Sequence, residues 1–146
     1  MNGIRISIDT NIILNVINRE KIFFNSSKQL LDKISNGDIH GVISTIVLSE
    51  VLTGFYMNND MVSPKMFKEG LIENPNFLIV PVTSEIADLA AKIRSNNNIK
   101  LPDAIIISTA VISKSDYLVS NDSGIYKNNK IKVVNSNEIL KILMKP

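Results

Sequence analysis

The chain has 146 residues, of which 45% are hydrophobic and 21% are charged, a composition typical of a folded domain rather than a disordered chain. We therefore expect residues 1–146 to form a single domain. The 16 Lys and Arg nearly balance the 14 Asp and Glu, so the net charge of +2 is only weak support for a nucleic-acid partner. With no cysteine and one histidine, His40, the sequence excludes disulfides, thiolate zinc sites and metal sites that need two imidazoles.

The N-terminal sequence bears on where the protein is found. It has no apolar signal region, and no apolar stretch approaches the roughly 20 residues that cross a membrane. The lack of cysteine fits a reducing compartment. Together these features predict a cytoplasmic protein.

Strand and helix patterns alternate along the chain. Isoleucines at every second position from residue 4 to residue 8 predict a first strand, and Asp9 and Asn11 then favour a helix start. In chain order, the predicted elements are a strand over residues 4–8, a helix from residue 10, a helix over residues 26–36, a strand over residues 39–44, a helix over residues 45–57, a helix from residue 63, a strand over residues 77–82, helices over residues 84–95 and 102–113, strands over residues 117–119 and 131–134, and a last helix after Asn135.

Two local signals add detail to this order. The third strand reads as buried, but Pro81 must lie at its end because proline cannot donate a ladder hydrogen bond. Asn135 followed by Glu138 is typical of a helix capping box. Short apolar strands separated by helices predict an α/β fold with a mainly parallel sheet of about five strands.

Three acidic residues lie where such a sheet would bring them together. Asp9 and Asp122 follow predicted strands, and Asp103 lies in the first turn of a helix. Each also has an ordinary explanation: Asp9 as a helix cap, Asp103 as a charge that complements the helix dipole, and Asp122 as a turn residue. All three nevertheless fall at the carboxyl edge of one parallel sheet, where open α/β sheets bind ligands.

Glu50 is the fourth acid that departs from the apolar pattern. Its neighbours along the predicted helix are Ile46, Val47 and Gly54, so its side chain follows an apolar stripe. A buried carboxylate there needs a partner or a cation. The alternative is a boundary position from which the carboxylate reaches water. A shared metal pocket accounts for all four acids with one explanation.

Carboxylate oxygens define the chemistry of such a pocket. They are the ligands preferred by Mg²⁺ and Mn²⁺, and four of them repel one another without a cation. Two divalent cations about 3.5 to 4 Å apart can activate a water and stabilise the leaving oxygen of a phosphodiester. The four acids therefore predict a site for one or two Mg²⁺ or Mn²⁺ ions, with no need for a histidine base.

The ordered set of acids resembles that of the PIN-domain ribonucleases, which include the VapC-type toxins of toxin–antitoxin pairs. The resemblance covers essentially the whole chain and implies a three-layer α/β/α domain. The matching segments are Ile8-Asp9-Thr10-Asn11, Ser49-Glu50-Val51, Leu101-Pro102-Asp103-Ala104 and Val119-Ser120-Asn121-Asp122.

The resemblance also implies roles for residues of this chain. Asn11 and Ser120 would support the pocket by hydrogen bonding, and the reaction would be Mg²⁺- or Mn²⁺-dependent endonucleolytic hydrolysis of RNA. The metal-binding and catalytic acids would be Asp9, Glu50, Asp103 and Asp122. Many members of the family carry a further Asp or His where this chain has Gly124, so the second metal is expected to bind weakly or to arrive with the substrate.

The resemblance further implies partners: an RNA substrate, an antitoxin that occludes the pocket if the protein is a toxin, and a second copy in a homodimer. Phe55, Tyr56 and Met57 are candidates for a dimer interface, although membership of the core is the better interpretation. Cations near the acidic segments, all following an acid except Lys100, which precedes Asp103, are weak candidates for phosphate contacts. They are Arg19, Lys21, Lys100, Lys127, Lys130 and Lys132.

Two other functions stay open at this point. One is a non-catalytic module that keeps the PIN fold as an RNA-binding or scaffold domain, an alternative supported by Gly124. The other, less favoured, is a phosphatase of the haloacid-dehalogenase kind. That chemistry needs a second Asp two residues after the first, where this chain has Asn11.

If four acids lie in one pocket, the net charge of +2 does not describe the rest of the surface. If four of the 14 acidic residues share one pocket, ten are left to balance 16 basic residues elsewhere. The remaining surface would then be basic, as expected for a protein that binds RNA.

Overall fold

The computed structural model describes residues 3–145, without the side chain of Tyr126. Its centre is a five-stranded sheet in which neighbouring strands are parallel, in the order β3-β2-β1-β4-β5. The strands are β1 (Arg5–Ile8), β2 (His40–Ser44), β3 (Phe77–Val80), β4 (Tyr117–Val119) and β5 (Val133–Val134). The predicted parallel sheet of about five strands is confirmed.

Within residues 3–145, seven α-helices and one short 3-10 helix connect and cover these strands. The 3-10 helix, Ser123–Lys127, follows β4. The α-helices are α1 (Thr10–Ile17), α2 (Phe24–Ser35), α3 (Thr45–Met57), α4 (Ser63–Glu73), α5 (Ser84–Asn96), α6 (Leu101–Ile112) and α7 (Ser136–Met144). Most predicted bounds agree with these to within one or two residues.

Strand order determines how the helices are distributed. The strands β2 and β3 follow β1 on one side of it, each one position further toward the edge of the sheet. The strands β4 and β5 then lie on the other side of β1. Because crossovers between parallel strands are right-handed, the helices before and after this reversal cover opposite faces of the sheet. The result is the predicted three-layer α/β/α arrangement, with its topological switch point between β1 and β4.

The core is built from branched apolar side chains of the central strands and the helices that cover them. Ile6, Ile8 and Leu118 are fully buried between the two helical layers. Gly41 in β2 allows close approach of α2, because a Cβ atom at this position would lie 2.9 Å from Cδ1 of Ile34. Packing of this kind holds the carboxyl ends of β1 and β4 in a defined place.

Local details confirm some predictions and correct another. Asn135 and Glu138 form the predicted capping box at the start of α7. β3 ends at Val80, before Pro81, as expected. The prediction that β3 is buried is wrong: it is an edge strand, and Leu78 is 50% exposed. An edge strand has one unpaired side, so its apolar composition alone did not reveal its position.

The helices were also compared with the dimensions of a lipid bilayer. Within residues 3–145, no helix has the length and apolar character that a membrane-spanning segment requires.

Candidate active site and metal-binding cavity

Asp9 lies where β1 ends and α1 begins, at the switch point of the sheet. It is the N-cap of α1, and its Oδ1 accepts a hydrogen bond from the backbone N–H of Thr10 at 2.7 Å. Its Oδ2 accepts hydrogen bonds from Ser120 Oγ at 2.7 Å and from Asn11 Nδ2 at 3.0 Å. Asp9 therefore serves as a helix cap and also belongs to a polar cluster that joins β1 to β4.

Burial governs the charge state of Asp9. The residue is only 5% exposed, and desolvation raises the pKa of its carboxyl group to about 6. The hydrogen bonds from Ser120 and Thr10 favour the charged form, but they offset only part of this effect. The nearby charges of Asp103 and Glu50 raise the pKa further.

A network of amide and hydroxyl groups extends from Asp9 into the protein. Asn11 Oδ1 accepts a hydrogen bond from the backbone N–H of Asn121 at 3.0 Å. Asn121 in turn donates through Nδ2 to Asn15 Oδ1 at 2.8 Å and accepts from the backbone N–H of Ser136 at 3.0 Å. This network connects the loop after β4 with α1 and α7. We call Asp9, Asn11, Ser120 and Asn121 the floor of the site.

The other three acids lie above the floor on separate elements, and we call Glu50, Asp103 and Asp122 the rim. Asp103 is half-buried in the first turn of α6. Asp122 is exposed at the start of the 3-10 helix, where its Oδ1 accepts a hydrogen bond from the backbone N–H of Gly124 at 3.0 Å. Asp103 thus lies at a helix start and Asp122 in a turn, as their ordinary explanations require, and both positions are compatible with a place in the site.

Glu50 lies differently from its expected position. Glu50 is exposed on α3, and its Oε1 accepts a hydrogen bond from Thr10 Oγ1 at 2.5 Å. The expectation that it is buried in an apolar stripe is wrong, and the boundary position that was its alternative is correct. Helical spacing shows which residues are neighbours, but not how far the next element covers them.

Mutual repulsion among the acids is visible at Asp103. Its pKa is raised, first by desolvation and then by the negative charges of Asp122 and Glu50, while Lys100 opposes the shift. Charges on α3 and on the 3-10 helix therefore act on the same carboxyl group. A cation bound among them would remove this repulsion.

All four predicted acids line one open cavity of about 430 Å³ at the carboxyl edge of the sheet. Asn11, Thr10, Thr53 and Leu14 complete the described lining, which contains no basic residue. Ser120 lies behind the cavity and contacts it through Asp9. The sequence therefore identified every acidic residue of the cavity, but not the contributions of Thr10 and Asn121.

The donor set suits a hard cation such as Mg²⁺ or Mn²⁺, since it consists of carboxylate and amide oxygens. In the part of the chain that the structure describes, no three Asp, Glu or His side chains converge closely enough to hold one ion as a group. Mg²⁺ characteristically keeps several waters and uses one or two carboxylates together with substrate phosphates. The arrangement fits such a partly open site rather than a closed protein cage.

A second cavity, of about 440 Å³, adjoins the first and shares Asp103 and Asp122 with it. Its basic residues are Arg94, Lys100 and Lys127. Lys100 and Lys127 are two of the cations considered from the sequence. Arg94 is an addition, because it precedes Asp103 by more than two helical turns and only the turn between α5 and α6 brings it to the site.

The other basic candidates lie elsewhere. Lys130 lines a separate cavity beside α5, and Lys132 lies at the opposite, amino edge of the sheet near Tyr117. Arg19 stacks on the ring of Phe24 at 5.7 Å, and Lys21 is exposed between α1 and α2. None of these four lines either of the two cavities described above. Their role as phosphate contacts stays a prediction from the sequence.

The end of α3 is partly core and partly surface. Phe55 packs edge-on against Phe67, with ring centroids 6.2 Å apart. Tyr56 and Met57 are exposed, Met57 by 79%. The core interpretation is thus correct for Phe55 and wrong for the two residues that follow it.

An open parallel sheet with a carboxylate-lined cavity at its switch point defines a class of α/β domain that binds its ligand at the carboxyl edge. The chain belongs to the PIN domain family, whose family model matches residues 6–131. The resemblance inferred from the ordered acids is confirmed. No curated protein matches the sequence.

Solved structures share the fold at low sequence identity. A toxin–antitoxin complex from Klebsiella pneumoniae is 24% identical, with 89% of this chain and 96% of that chain covered and a TM-score of 0.69. FitAcB from Neisseria gonorrhoeae is 23% identical, with 90% and 97% covered and a TM-score of 0.67. Mycobacterium tuberculosis VapC20, described as a toxin that cleaves the sarcin-ricin loop, is 14% identical, with 88% and 98% covered and a TM-score of 0.70.

Proposed function

We propose that the protein is a Mg²⁺- or Mn²⁺-dependent endoribonuclease that hydrolyses RNA phosphodiester bonds. The observation that carries this proposal is the convergence of Asp9, Glu50, Asp103 and Asp122 on one cavity. Desolvation and the charges of neighbouring acids raise the pKa values of Asp9 and Asp103 there. Such a cost is reasonable where a cation and a substrate are bound.

The residues have distinct tasks in this proposal. One or two of the four acids would hold a cation together with waters and a substrate phosphate, and Asn11 and Ser120 keep Oδ2 of Asp9 in place. A bound divalent cation supplies Lewis acidity, which polarises a phosphoryl oxygen and makes a nearby water more acidic. A bound cation favours the charged form of Asp9. Because the pKa of this carboxyl group is about 6, protonation competes with cation binding below that pH.

We further propose that the protein is a toxin of the VapC type and that its protein partner is an antitoxin. One structural neighbour is described as a toxin–antitoxin complex, and two others are described as VapBC proteins. The open cavity is accessible to a polypeptide tail as well as to RNA. A homodimer and a cytoplasmic location stay predictions from the sequence.

The direct test is cleavage of total RNA with Mn²⁺ or Mg²⁺, comparing the native protein with Asp9→Asn. We expect a loss of more than about 100-fold, above the range for residues that only support metal ligands. Asp38→Asn is the matched control, because Asp38 is an exposed acid outside the acidic cavity. Equal cleavage by native protein and Asp9→Asn would contradict the proposed site.

A non-catalytic PIN-fold module is the second candidate, and Gly124 is the observation that favours it. The same assay decides between them: an absence of cleavage in native protein that still binds Mn²⁺ would favour the module. The phosphatase alternative is disfavoured, since the amide of Asn11 cannot transfer a proton and is engaged with Asp9 and Ser120.

A further inference from the structure

The two adjoining cavities carry opposite charges. The acidic cavity is lined by four carboxylates, and the neighbouring one by Arg94, Lys100 and Lys127. Because Asp103 and Asp122 line both, they mark the boundary between the two. A ligand with regularly spaced negative charges could place one charge at a cation among the acids. Its next charge would then lie in the basic cavity.

The basic residues of the second cavity form no close ion pair with the adjacent acids. Among the described residues, ion pairs form between Lys28 and Asp32, Lys65 and Glu69, and Lys92 and Asp88, all within single helices. Arg94, Lys100 and Lys127 are absent from these pairs, although they share a cavity with Asp103 and Asp122 and the charge of Lys100 acts on Asp103. The charges of Arg94 and Lys127 are therefore available to an anion from outside the chain.

Arg94 is held in place by the turn between α5 and α6. Its Nη1 donates a hydrogen bond of 3.0 Å to the backbone carbonyl of Ile99, a residue that is almost fully buried. This contact uses one of the five donors of the guanidinium group. The other N–H donors of the guanidinium group are suited to a phosphate, whose oxygens accept paired hydrogen bonds from arginine.

The basic cavity lies on one side of the acids only. On the other side, α1 and α3 contribute neutral residues and one acid to the described lining: Thr10, Asn11, Leu14, Thr53 and Glu50. Those residues offer no positive charge to a backbone phosphate. The asymmetry predicts that an RNA strand is gripped electrostatically on one side of the reacting bond.

We propose that the cavity lined by Arg94, Asn98, Lys100 and Lys127 is a subsite for an RNA backbone phosphate next to the scissile one, with Arg94 as its oriented donor. The proposal rests on the nuclease function proposed above, since it assumes that the scissile phosphate lies among the acids. It identifies the ligand as a phosphodiester, not a base, so the contact adds affinity without sequence preference.

The test is binding of a fluorescent single-stranded RNA of about 12 nucleotides, a length in the range of known single-strand sites. Anisotropy is measured in EDTA over a series of salt concentrations, so that neither a metal nor cleavage is required. For Arg94→Gln we expect binding about fivefold weaker at low salt, the size of a partly exposed charge contact. We also expect the slope of log K against log salt to fall by about 0.7.

Lys68→Gln is the matched control, because Lys68 is exposed, is absent from the ion pairs of the described residues and lies outside both cavities. It should leave affinity and slope close to those of the native protein. If Arg94→Gln melts at a much lower temperature, Lys127→Gln replaces it, with the same expected change. Equal binding by the cavity variant and Lys68→Gln would overturn the proposal.

A polyglutamate peptide of equal length separates phosphate from carboxylate recognition. We expect it to compete weakly, and its binding to be insensitive to Arg94→Gln. Equal sensitivity of peptide and RNA would overturn the assignment to phosphate. Failure of the nuclease assay, with this binding difference intact, would instead refute catalysis and leave an RNA-binding subsite in place.

Discussion

The floor and the rim of the acidic cavity are built in different ways. Asp9 in the floor is buried, and its carboxylate accepts hydrogen bonds from three neighbouring residues. Glu50 and Asp122 in the rim are exposed, and each accepts a hydrogen bond from a nearby group. The floor is thus positioned by folding, while the rim is positioned mainly by the helices that carry it.

This difference shows how the protein combines a defined site with access for a ligand. Buried, hydrogen-bonded groups hold their geometry, but their charge is costly. Exposed carboxylates carry charge at little cost and adapt to a ligand. Variants in the floor should therefore affect stability as well as function, and variants in the rim should affect mainly cation binding.

The largest expected effect is the pH dependence of stability due to Asp9. Its folded-state pKa of about 6 lies above the usual aspartate value of 3.8, so the folded protein binds more protons in this window. The free energy of unfolding should therefore fall as pH rises from about 4 to 7, with a contribution from Asp9 of about 3 kcal/mol in metal-free protein.

Urea titrations in EDTA between pH 4 and 7 measure this contribution, with Asp9→Asn compared with the native protein. The fall in the free energy of unfolding should be smaller in the variant by the contribution of Asp9, whatever its absolute stability, because only the raised pKa of Asp103 still acts in the same direction. Parallel pH profiles for the two proteins would show that Asp9 is not titrating in this range.

Asn121→Ala should have the next largest effect. It leaves the backbone N–H of Ser136 without its side-chain partner and removes one of the two hydrogen bonds that Oδ1 of Asn15 accepts, at a cost of about 1 to 3 kcal/mol. Asn137→Ala, on the exposed side of α7, is the control. Isothermal titration with Mn²⁺ well below the melting temperature should show affinity reduced about 10-fold, as for groups that support metal ligands. Unchanged Mn²⁺ affinity would limit Asn121 to a structural role.

Asp122→Asn tests the rim. We expect metal-free stability within about 0.5 kcal/mol of the native value, as for exposed substitutions. The increase in melting temperature with Mn²⁺ should be reduced, because binding about tenfold weaker removes about 1.4 kcal/mol of stabilisation at high Mn²⁺. Differential scanning fluorimetry with and without Mn²⁺ makes both measurements. A large loss of metal-free stability would place Asp122 with the floor.

Gly124→Asp should give the smallest change and a gain. A Cβ atom at this position would lie 3.5 Å from Oδ1 of Asp122, an ordinary contact, so a side chain can be accommodated. A further carboxylate beside the rim should raise Mn²⁺ affinity about threefold, or by about 0.6 kcal/mol. Gly124→Asn, which adds similar volume without charge, is the control. Equal Mn²⁺ affinity in both variants would exclude a charge effect.

Much of the fold could be predicted from local patterns. The spacing of isoleucines before Asp9 and the capping box at Asn135 depend on nearest neighbours along the chain, and the structure contains both elements. The edge position of β3 could not be predicted, since the same apolar composition suits a central and an edge strand. The exposure of Glu50 escaped prediction for a similar reason, because it depends on how α1 packs against α3.

The sequence by itself determined which residues carry the acidic charge and which strand or helix holds each of them. Only the tertiary structure decided that β4 lies beside β1, which places Ser120 and Asn121 against Asp9 and Asn11 across more than 100 residues of chain. It also decided that Arg94 lies next to Asp103. Local propensity acts over a few residues, whereas strand order is selected by burial of the whole sheet between its two helical layers.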